Sequence, residues 1–584
     1  MDQFSDTGRS GLGGERRLFA ARLITGLLQG LALYALYFAG EHGLWPRTQP
    51  AAFGALALAA GYAPVVVLAG VGRLSGRTLT IWTAVAAVVL ALLGWHDVDR
   101  RVLESWTQPP FLSLPTLAFA AAALFIAHHL IAPAVRAGRP IAPYADYFDV
   151  AWKAGVQLAL SLAFTGAFWL LLHLGGALFR VIGIDALERL LSQAWFAIPL
   201  LCLAFATAVQ LTDVRDGLIR GVRTVALMLL SWLLPVIAVL VASFLLALPF
   251  TGLDGLWGTR SATTLVLSAA AALIILINTA YQDGRPDNLP PRALRVGARI
   301  ASVLAAPLVG LAFWGLMLRI GQHGLTPDRI IALACAAVGA VYAVGYLIAA
   351  VRRGPWLRPL ERTNVIAAVL SVAVILALFS PLLDPARLSS ANQTARLERG
   401  AVAAADFDFD FLRFESGKAG RAALDRLARS SEPEVARLAQ AAKQRDARAF
   451  DTPAELRRRA QGVRIAPVAG QTMPEGFAAQ TEALPDVLTF CSGDQPCVLR
   501  RLDLDGDGRE EALVAAQRMV LAFGQREDGR WRALGRYGPG CVEPRDRLRD
   551  ALGGDVASAP AALPDLIVGG RRLQAQPEVD CGAG

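Results

Sequence analysis

The sequence predicts an α-helical polytopic membrane protein with about eleven transmembrane helices, followed by a small helical linker region and a small disulfide-stapled β-rich exported domain. Three observations carry this expectation. Eleven long windows are apolar and free of Asp, Glu, Lys and Arg; arginines are unequally shared between alternate loops; and four of the six cysteines fall in the last hundred residues. The composition agrees, at 54% hydrophobic, 18% charged and mean hydropathy +0.44 over 584 residues. Soluble domains carry about a quarter charged residues, so a chain this apolar points to many spans rather than one large soluble core.

The first 17 residues, "MDQFSDTGRSGLGGERR", are polar, and no small-residue cleavage site follows convincingly, so the first apolar run is expected to be retained as a span. The windows are 23–40, 50–72, 78–95, 109–135, 154–179, 191–212, 224–250, 261–282, 300–318, 330–351 and 363–383. Each approaches or exceeds the roughly 20 residues a bilayer core needs. Pro64, Pro199, Pro235 and Pro307 lie inside windows, where neighbouring helices satisfy the freed carbonyls. The window 224–250 is long with Pro235 near its middle, and reads either as one kinked helix or as two re-entrant halves.

Loop charge sets the expected orientation. With the N-terminus in the cytoplasm, inner segments collect 20 Lys and Arg against 8 on the other side. This is the positive-inside pattern, and it also explains the net charge of +9 without a nucleic-acid partner. An odd span number then exports everything after about residue 384. Cys491, Cys497, Cys541 and Cys581 fit that placement, since an even cluster in a small domain reads as two disulfides formed in an oxidising compartment. Three pairings are open, Cys491–Cys497 with Cys541–Cys581 being the local choice. Cys202 and Cys335 fall inside windows as free thiols.

The chain thus divides into a tail at 1–17, a multi-span domain at 18–384, an exported helical region at 385–480 and a β-rich domain at 481–584. Helical spacing appears in "AGRAALDRLARSS" and "EPEVARLAQAAKQ", and Thr452-Pro453 reads as a capped helix start. "DFDFDFLRFE" (406–415) alternates as a short strand or a membrane-proximal amphipathic segment would. Beyond 481, "DVLTFCS", "CVLRRLDL", "EALVAAQ", "MVLAFGQ" and "RWRALGRY" read as strands, with a hairpin at Asp528-Gly529.

Between two of these strands lies "RLDLDGDGREEALV". Asp503, Asp505, Asp507, the Arg509 carbonyl and Glu511 alternate around Gly508, which suits calcium as a structural ion, because calcium takes six to eight hard oxygens. An EF-hand requires a bidentate Glu at the twelfth position, where Val514 stands. The loop is similar to the calcium loops of integrin-type propeller repeats, in a single copy.

Other chemistry is sparse. The pair His128-His129 points about a third of a turn apart on a helix, which disfavours a shared metal. Gln29, Gln157, Gln193, Gln210, Asn278 and Asn364 are the main amides inside windows, and interhelical hydrogen bonds account for them. "IAPYADYFDVAWKAG" (141–155) suits an interfacial aromatic belt or a docking helix. Asp97, Asp99, Arg100, Arg101 and Glu104 form the one exported inter-span loop dense enough in charge to suggest enzyme chemistry. No hydrolase, metalloprotease, P-loop or dinucleotide signature is present.

"YADYFDVAWKAGVQLAL", "LTDVRDGLIRGVR", "LPFTGLDGLWGTRSATTLVLSAAAALIILINTAYQDG" and "DPARLSSANQTARLERGAVAAADFDFDFLRFESGKAGRAALDRLA" resemble a family of bacterial polytopic membrane proteins known as domain of unknown function 4153. The likeness runs from roughly residue 15 to 430. It implies a bacterial inner membrane, and therefore a periplasmic tail. It brings no activity. The function classes left are a non-enzymatic envelope scaffold, binding or relay protein with a periplasmic protein partner; a transporter or channel for a neutral or amphipathic solute; and a membrane enzyme acting on a lipid-linked substrate.

Overall fold

The computed structural model describes residues 4–573 except 103–110, 215, 253–261, 286, 288, 446–462, 484–486, 488–490, 492–496, 505, 516–518, 527, 538–551, 553–555, 557–565 and 569–570. The described chain forms two compact units. One comprises residues 1–401 with 411–443, the other 402–410 with 444–584.

The first unit is a helix bundle. Its helices are α1 (Phe4–His42), α2 (Pro50–Gly70), α3 (Gly76–Asp99), α4 (Leu114–Ala137), α5 (Tyr144–Val181), the short α6 (Ala186–Leu191), α7 (Ala194–Val214), α8 (Asp216–Thr251), α9 (Ala262–Tyr281), α10 (Arg292–His323), α11 (Pro327–Val351) and α12 (Pro359–Leu378). All but α6 are long and apolar enough to span a membrane, eleven in number, as the windows predict. The long window 224–250 lies within the single helix α8, which carries Pro235 and Pro249 without a break.

Local chemistry sets the helix ends. Ser75, Ser113 and Thr326 accept hydrogen bonds from the backbone of Thr78, Thr116 and Arg329, at 3.2–3.4 Å. Each satisfies an otherwise orphan first-turn donor. Proline occupies the first turn of α2, α4, α11 and α12, where its missing N–H costs nothing. Gly138 ends α4 with φ +61°, a left-handed conformation glycine adopts without strain.

Burial follows the inverse of a water-soluble pattern. Only 17–44% of each span's most apolar stretch is buried, and Leu170, Val181, Leu246 and Phe250 are largely exposed. Surface of this kind is stable only against lipid, so the outer faces of the bundle contact a bilayer. Inside, small residues let helices approach. An added Cβ on Gly26 would meet Ala206 at 2.5 Å, and one on Gly54 would meet the Gly94 carbonyl at 2.6 Å. Such small-residue contacts bring α1 against α7 and α2 against α3. Ala298, Ala301 and Ala312 of α10 are completely buried beside Leu273, Ile277 and Tyr346.

Three further helices complete this unit: α13 (Pro385–Glu398), α14 (Gly417–Leu427) and α15 (Pro433–Lys443). Asp384 caps α13 through the Ala386 amide at 3.0 Å. Along α13, Gln393 donates to the carbonyls of His323 and Leu325, and Arg396 donates to those of Gly321 and Gln322. The string "NQTARLERG" thus closes the orphan carbonyls at the end of α10. Lys418 binds Asp99 at 2.8 Å and the Arg100 carbonyl at 2.9 Å, anchoring α14 to the end of α3.

"DFDFDFLRFE" forms neither a strand nor a continuous amphipathic helix. A 3-10 turn at Ala404–Asp406 precedes it and a π turn occupies Phe411–Glu415. Its alternation serves burial without a strand partner: Phe407 and Phe409 meet edge to face with centroids 4.8 Å apart, and buried Asp410 pairs with Arg445 at 2.5 Å.

The second unit contains a five-stranded sheet, β1 (Ile465–Pro467), β2 (Cys497–Leu502), β3 (Glu511–Ala515), β4 (Val520–Gln525) and β5 (Trp531–Tyr537), in that order, and a hairpin of β6 (Leu566–Val568) and β7 (Arg571–Leu573). β1 runs parallel to β2 and the remaining pairs are antiparallel. Four strands, β2 to β5, fall on the short runs that the turn residues mark out. β1 was not legible, and "DVLTFCS" lies mostly outside the described residues. The Asp528-Gly529 turn closes the β4–β5 hairpin with Gly529 at φ +78°. Phe477 packs between Phe523 and Trp531, and the Cys491–Cys497 disulfide is buried on the same side of the sheet. Cys541 and Cys581 lie outside the described residues, as does the helix start at Thr452-Pro453.

Candidate binding cavity and acidic loop

A cavity of about 620 Å³ lies among α1, α2, α4, α5 and α7. Its walls are apolar, with Val65, Leu124, Phe125, Leu158, Leu162 and Phe205 among them. On α7 it extends from Leu201 to Val209, about 12 Å at the helical rise.

Polar groups enter this cavity at two levels. Gln29 of α1 lies deep. Its Nε2 donates to the Gly61 carbonyl at 2.8 Å, which fixes the amide orientation, because that carbonyl accepts only a donor. The Gln29 Oε1 is buried and has no partner among the described residues. An unmet buried acceptor costs about 1–3 kcal/mol.

The second level is a charged cluster at the ends of α1, α2 and α7. Asp213 binds Arg22 at 2.5 Å and also pairs with Arg73. Arg22, only 2% exposed, donates to Gln210 at 2.5 Å and to the Val71 carbonyl at 3.3 Å. Arg73 reaches Gln157 at 3.1 Å, and Gln157 donates to the Val209 carbonyl at 3.2 Å. Two guanidinium groups therefore share one carboxylate, leaving a formal charge of +1. Arg73 and Gln157 line the cavity.

His128 and His129 line the same wall. His128 Nδ1 accepts from the Trp82 indole at 3.1 Å, so the neutral ring carries its proton on Nε2. His129 Nδ1 donates to the Phe125 carbonyl at 2.7 Å, leaving Nε2 as an acceptor. The rings stand edge to face with centroids 5.2 Å apart. Among the described residues no three His, Cys, Asp or Glu side chains gather to hold a metal.

A second cavity, about 450 Å³, shares Phe125 and His129 with the first. A closed ring of hydrogen bonds borders it. Asn278 donates to Tyr346 at 2.7 Å, Tyr346 to Asn364 at 2.7 Å, and Asn364 to Tyr144 at 3.0 Å. Asn364 also donates to Asn278 at 2.6 Å. The ring ties α5, α9, α11 and α12 together, the interhelical role expected of these amides. "YADYFDVAWKAG" begins α5 and is more than a belt: Tyr144 joins this ring, Asp149 pairs with Arg223 at 2.9 Å, and Trp152 lines the second cavity.

The charges expected in a loop after the third span are structural, and Asp97 and Asp99 lie in the last turn of α3 rather than in a loop. Asp97, 2% exposed, accepts from Ser113 N at 2.8 Å, Ser113 Oγ at 2.7 Å and Thr116 Oγ1 at 2.9 Å, and pairs with Arg100 at 3.1 Å. Burial pulls the Arg101 guanidinium below its ordinary pKa, with Asp97 opposing. Asp99 is held by Lys418. Glu104 lies outside the described residues.

In the second unit the acidic segment joins β2 to β3. Asp503 accepts from the amides of Gly506 at 2.7 Å and Gly508 at 3.0 Å; Asp507 accepts from Arg509 N at 2.7 Å. Glu511 is buried at the start of β3 and accepts from Leu504 N at 2.8 Å. Gly506 and Gly508 have φ of +77° and +83°, so the wrapped path requires glycine at both. Asp505 lies outside the described residues.

Sequence reasoning missed the Arg22–Asp213–Arg73 cluster, since each member sits just beyond an apolar window and was weighed only as loop charge. No curated protein and no solved structure matches the chain. The family model for domain of unknown function DUF4153 matches residues 52–427, which cover α2 to α14, and the chain therefore belongs to that family.

Proposed function

We propose that this multi-pass membrane protein is a non-enzymatic binding or carrier protein that takes an amphipathic molecule into its helix bundle from the surrounding membrane. The observation that carries this reading is Gln29, a buried amide that lines an apolar 620 Å³ cavity and holds an unpartnered acceptor. A bundle closed for scaffolding alone would have filled this space with side chains, since interiors pack densely. The enzyme reading draws no support from the α3–α4 loop, where Asp97, Asp99 and Arg100 are engaged in joining helices.

The location is an inner membrane with the N-terminus cytoplasmic and the β-rich unit periplasmic. The arginine asymmetry supports this, as do eleven spans and the observation that the ends of α3 and α10 and the chain after α12 come together. We extend the proposal to calcium at the acidic loop, through Asp503, Asp505, Asp507, the Arg509 carbonyl and Glu511, on the strength of the spacing and the glycine-shaped path; Asp503, Asp507 and Glu511 each accept from a backbone amide and would have to turn toward the ion. That ion and the cystine brace a module that meets an envelope protein partner. Calcium is expected to slow proteolysis of the 481–584 region in the full-length chain; equal cleavage with calcium and chelator would remove the ion from this account.

Gly61 supplies the test of the cavity. An added Cβ there meets nothing within 4 Å, so the side chain of Gly61→Leu starts into open space, and Gly61 itself lines the cavity. Native mass spectrometry of the full chain purified in mild detergent is expected to show a co-purified amphiphile that Gly61→Leu loses. Equal retention by parent and variant would refute the reading.

A further inference from the structure

We infer that the cavity's occupant is an anionic lipid, with its phosphate or carboxylate headgroup at Arg73 and its chain along the apolar wall. This rests on the cavity-binding reading above and adds the chemistry of the ligand.

Charge argues first. Among the described residues, Arg22 and Arg73 share Asp213 alone, and no described Asp or Glu lines either cavity. The surplus positive charge is presented at the cavity wall by Arg73, and an anion arriving in that less polar setting is held more strongly than it would be in water. A cationic amphiphile would add to the imbalance, and a zwitterionic one would bring a cation of its own. The two histidines do not alter the sign, because the Trp82 bond needs a lone pair on His128 Nδ1.

Position argues second. Arg22 is buried behind the wall, whereas Arg73 lines the cavity with 24% of its side chain exposed. Arg73 stands three residues beyond the end of α2, at the level where a span meets headgroups. A guanidinium reads phosphate or carboxylate through two parallel hydrogen bonds. Gln29 lies seven residues, about 10 Å of helix, from Arg22.

The experiment offers the purified full-length chain an equimolar mixture of phosphatidylglycerol and phosphatidylcholine in detergent micelles, with bound lipid read by native mass spectrometry. The parent is expected to retain phosphatidylglycerol about tenfold over phosphatidylcholine, a differential of about 1.4 kcal/mol. Arg73→Gln is expected to keep bound lipid but lose the preference, and Arg73→Lys to keep part of it, which separates headgroup recognition from misfolding. Arg17→Gln, at an exposed position on α1, is expected to behave as the parent. Lipid that Gly61→Leu excludes, but that the parent binds without preference, would overturn the headgroup assignment alone. Phosphatidylglycerol retained equally by parent and Gly61→Leu would place the lipid outside the cavity and overturn both readings. A preference undiminished in Arg73→Gln would also overturn the assignment.

Discussion

Asp213→Asn is the most informative single change in the bundle. The substitution keeps the shape and removes the one carboxylate that serves Arg22 and Arg73 among the described residues. Arg22, at 2% exposure, cannot turn to water; its remaining bonds are to Gln210 and the Val71 carbonyl, and its Nε is already unpartnered. Breaking a buried ion pair by removing one partner costs about 3–5 kcal/mol. Asp213 is 21% exposed, which places the expected loss near the lower end, about 3 kcal/mol, or roughly a hundredfold in the folded-to-unfolded ratio. Arg22→Leu in the same background removes the stranded charge, while Arg73 is exposed enough to hydrate. The double variant should therefore recover at least about 1 kcal/mol relative to additivity. Unfolding by increasing SDS in mild detergent, followed by tryptophan fluorescence, measures both. An Asp213→Asn protein within about 0.5 kcal/mol of the parent, or strict additivity, would refute the claim that this carboxylate neutralises buried guanidinium groups.

Other predictions follow from the packing and the second unit. Gly54→Leu drives a side chain into the Gly94 carbonyl, so α2 and α3 must separate; size-exclusion chromatography should show loss of the folded, monodisperse species, whereas Gly61→Leu should elute as the parent. Cys497→Ser opens a cystine spanning six residues; the chain-entropy relation gives about 2 kcal/mol for so short a loop, read as faster proteolysis of the β-rich region of the intact chain, with no change in the bundle. Lys443, hydrogen-bonded at 2.6 Å, holds the Asp425 carboxyl below its ordinary 3.8. A depressed carboxylate contributes its stability above the unfolded value and loses it as pH falls through the folded one. With the intrinsic rate divided out, the opening of α14 and α15 seen by hydrogen exchange should therefore rise slightly as pH falls below about 4, and Lys443→Gln should remove that rise.

The bundle was legible because a bilayer leaves so few choices: a span needs a long uncharged run, and runs of that length have no other common use. Pro235 left α8 ambiguous, since proline marks a kink or a break equally well in sequence. Strands β2 to β5 announced themselves as short runs broken by turns and by the Asp528-Gly529 pair. β1, three residues long and set by its parallel pairing with β2, carries no local pattern to find. "DFDFDFLRFE" misled for a related reason, since alternation reports one-sided burial and the buried Phe407 and Phe409 need no strand neighbour to achieve it. The cavity was illegible. Gln29 and Gln157 could be seen as buried amides, but only the fold shows that Gln157 is satisfied while one oxygen of Gln29 is not. Arg22, Arg73 and Asp213 lie 191 residues apart at the extremes, and nothing local marks them as partners.

The central claim is that the cavity between α1, α2, α4, α5 and α7 holds an amphipathic molecule from the membrane. The most direct measurement is a high-resolution cryo-electron microscopy map of the full chain in nanodiscs formed from its native membrane. The account predicts elongated density along Leu158, Leu162 and Phe205 that comes within hydrogen-bonding distance of Gln29 Oε1 and ends at Arg73. A cavity collapsed by side chains, or filled only by water with Gln29 hydrated, would contradict it.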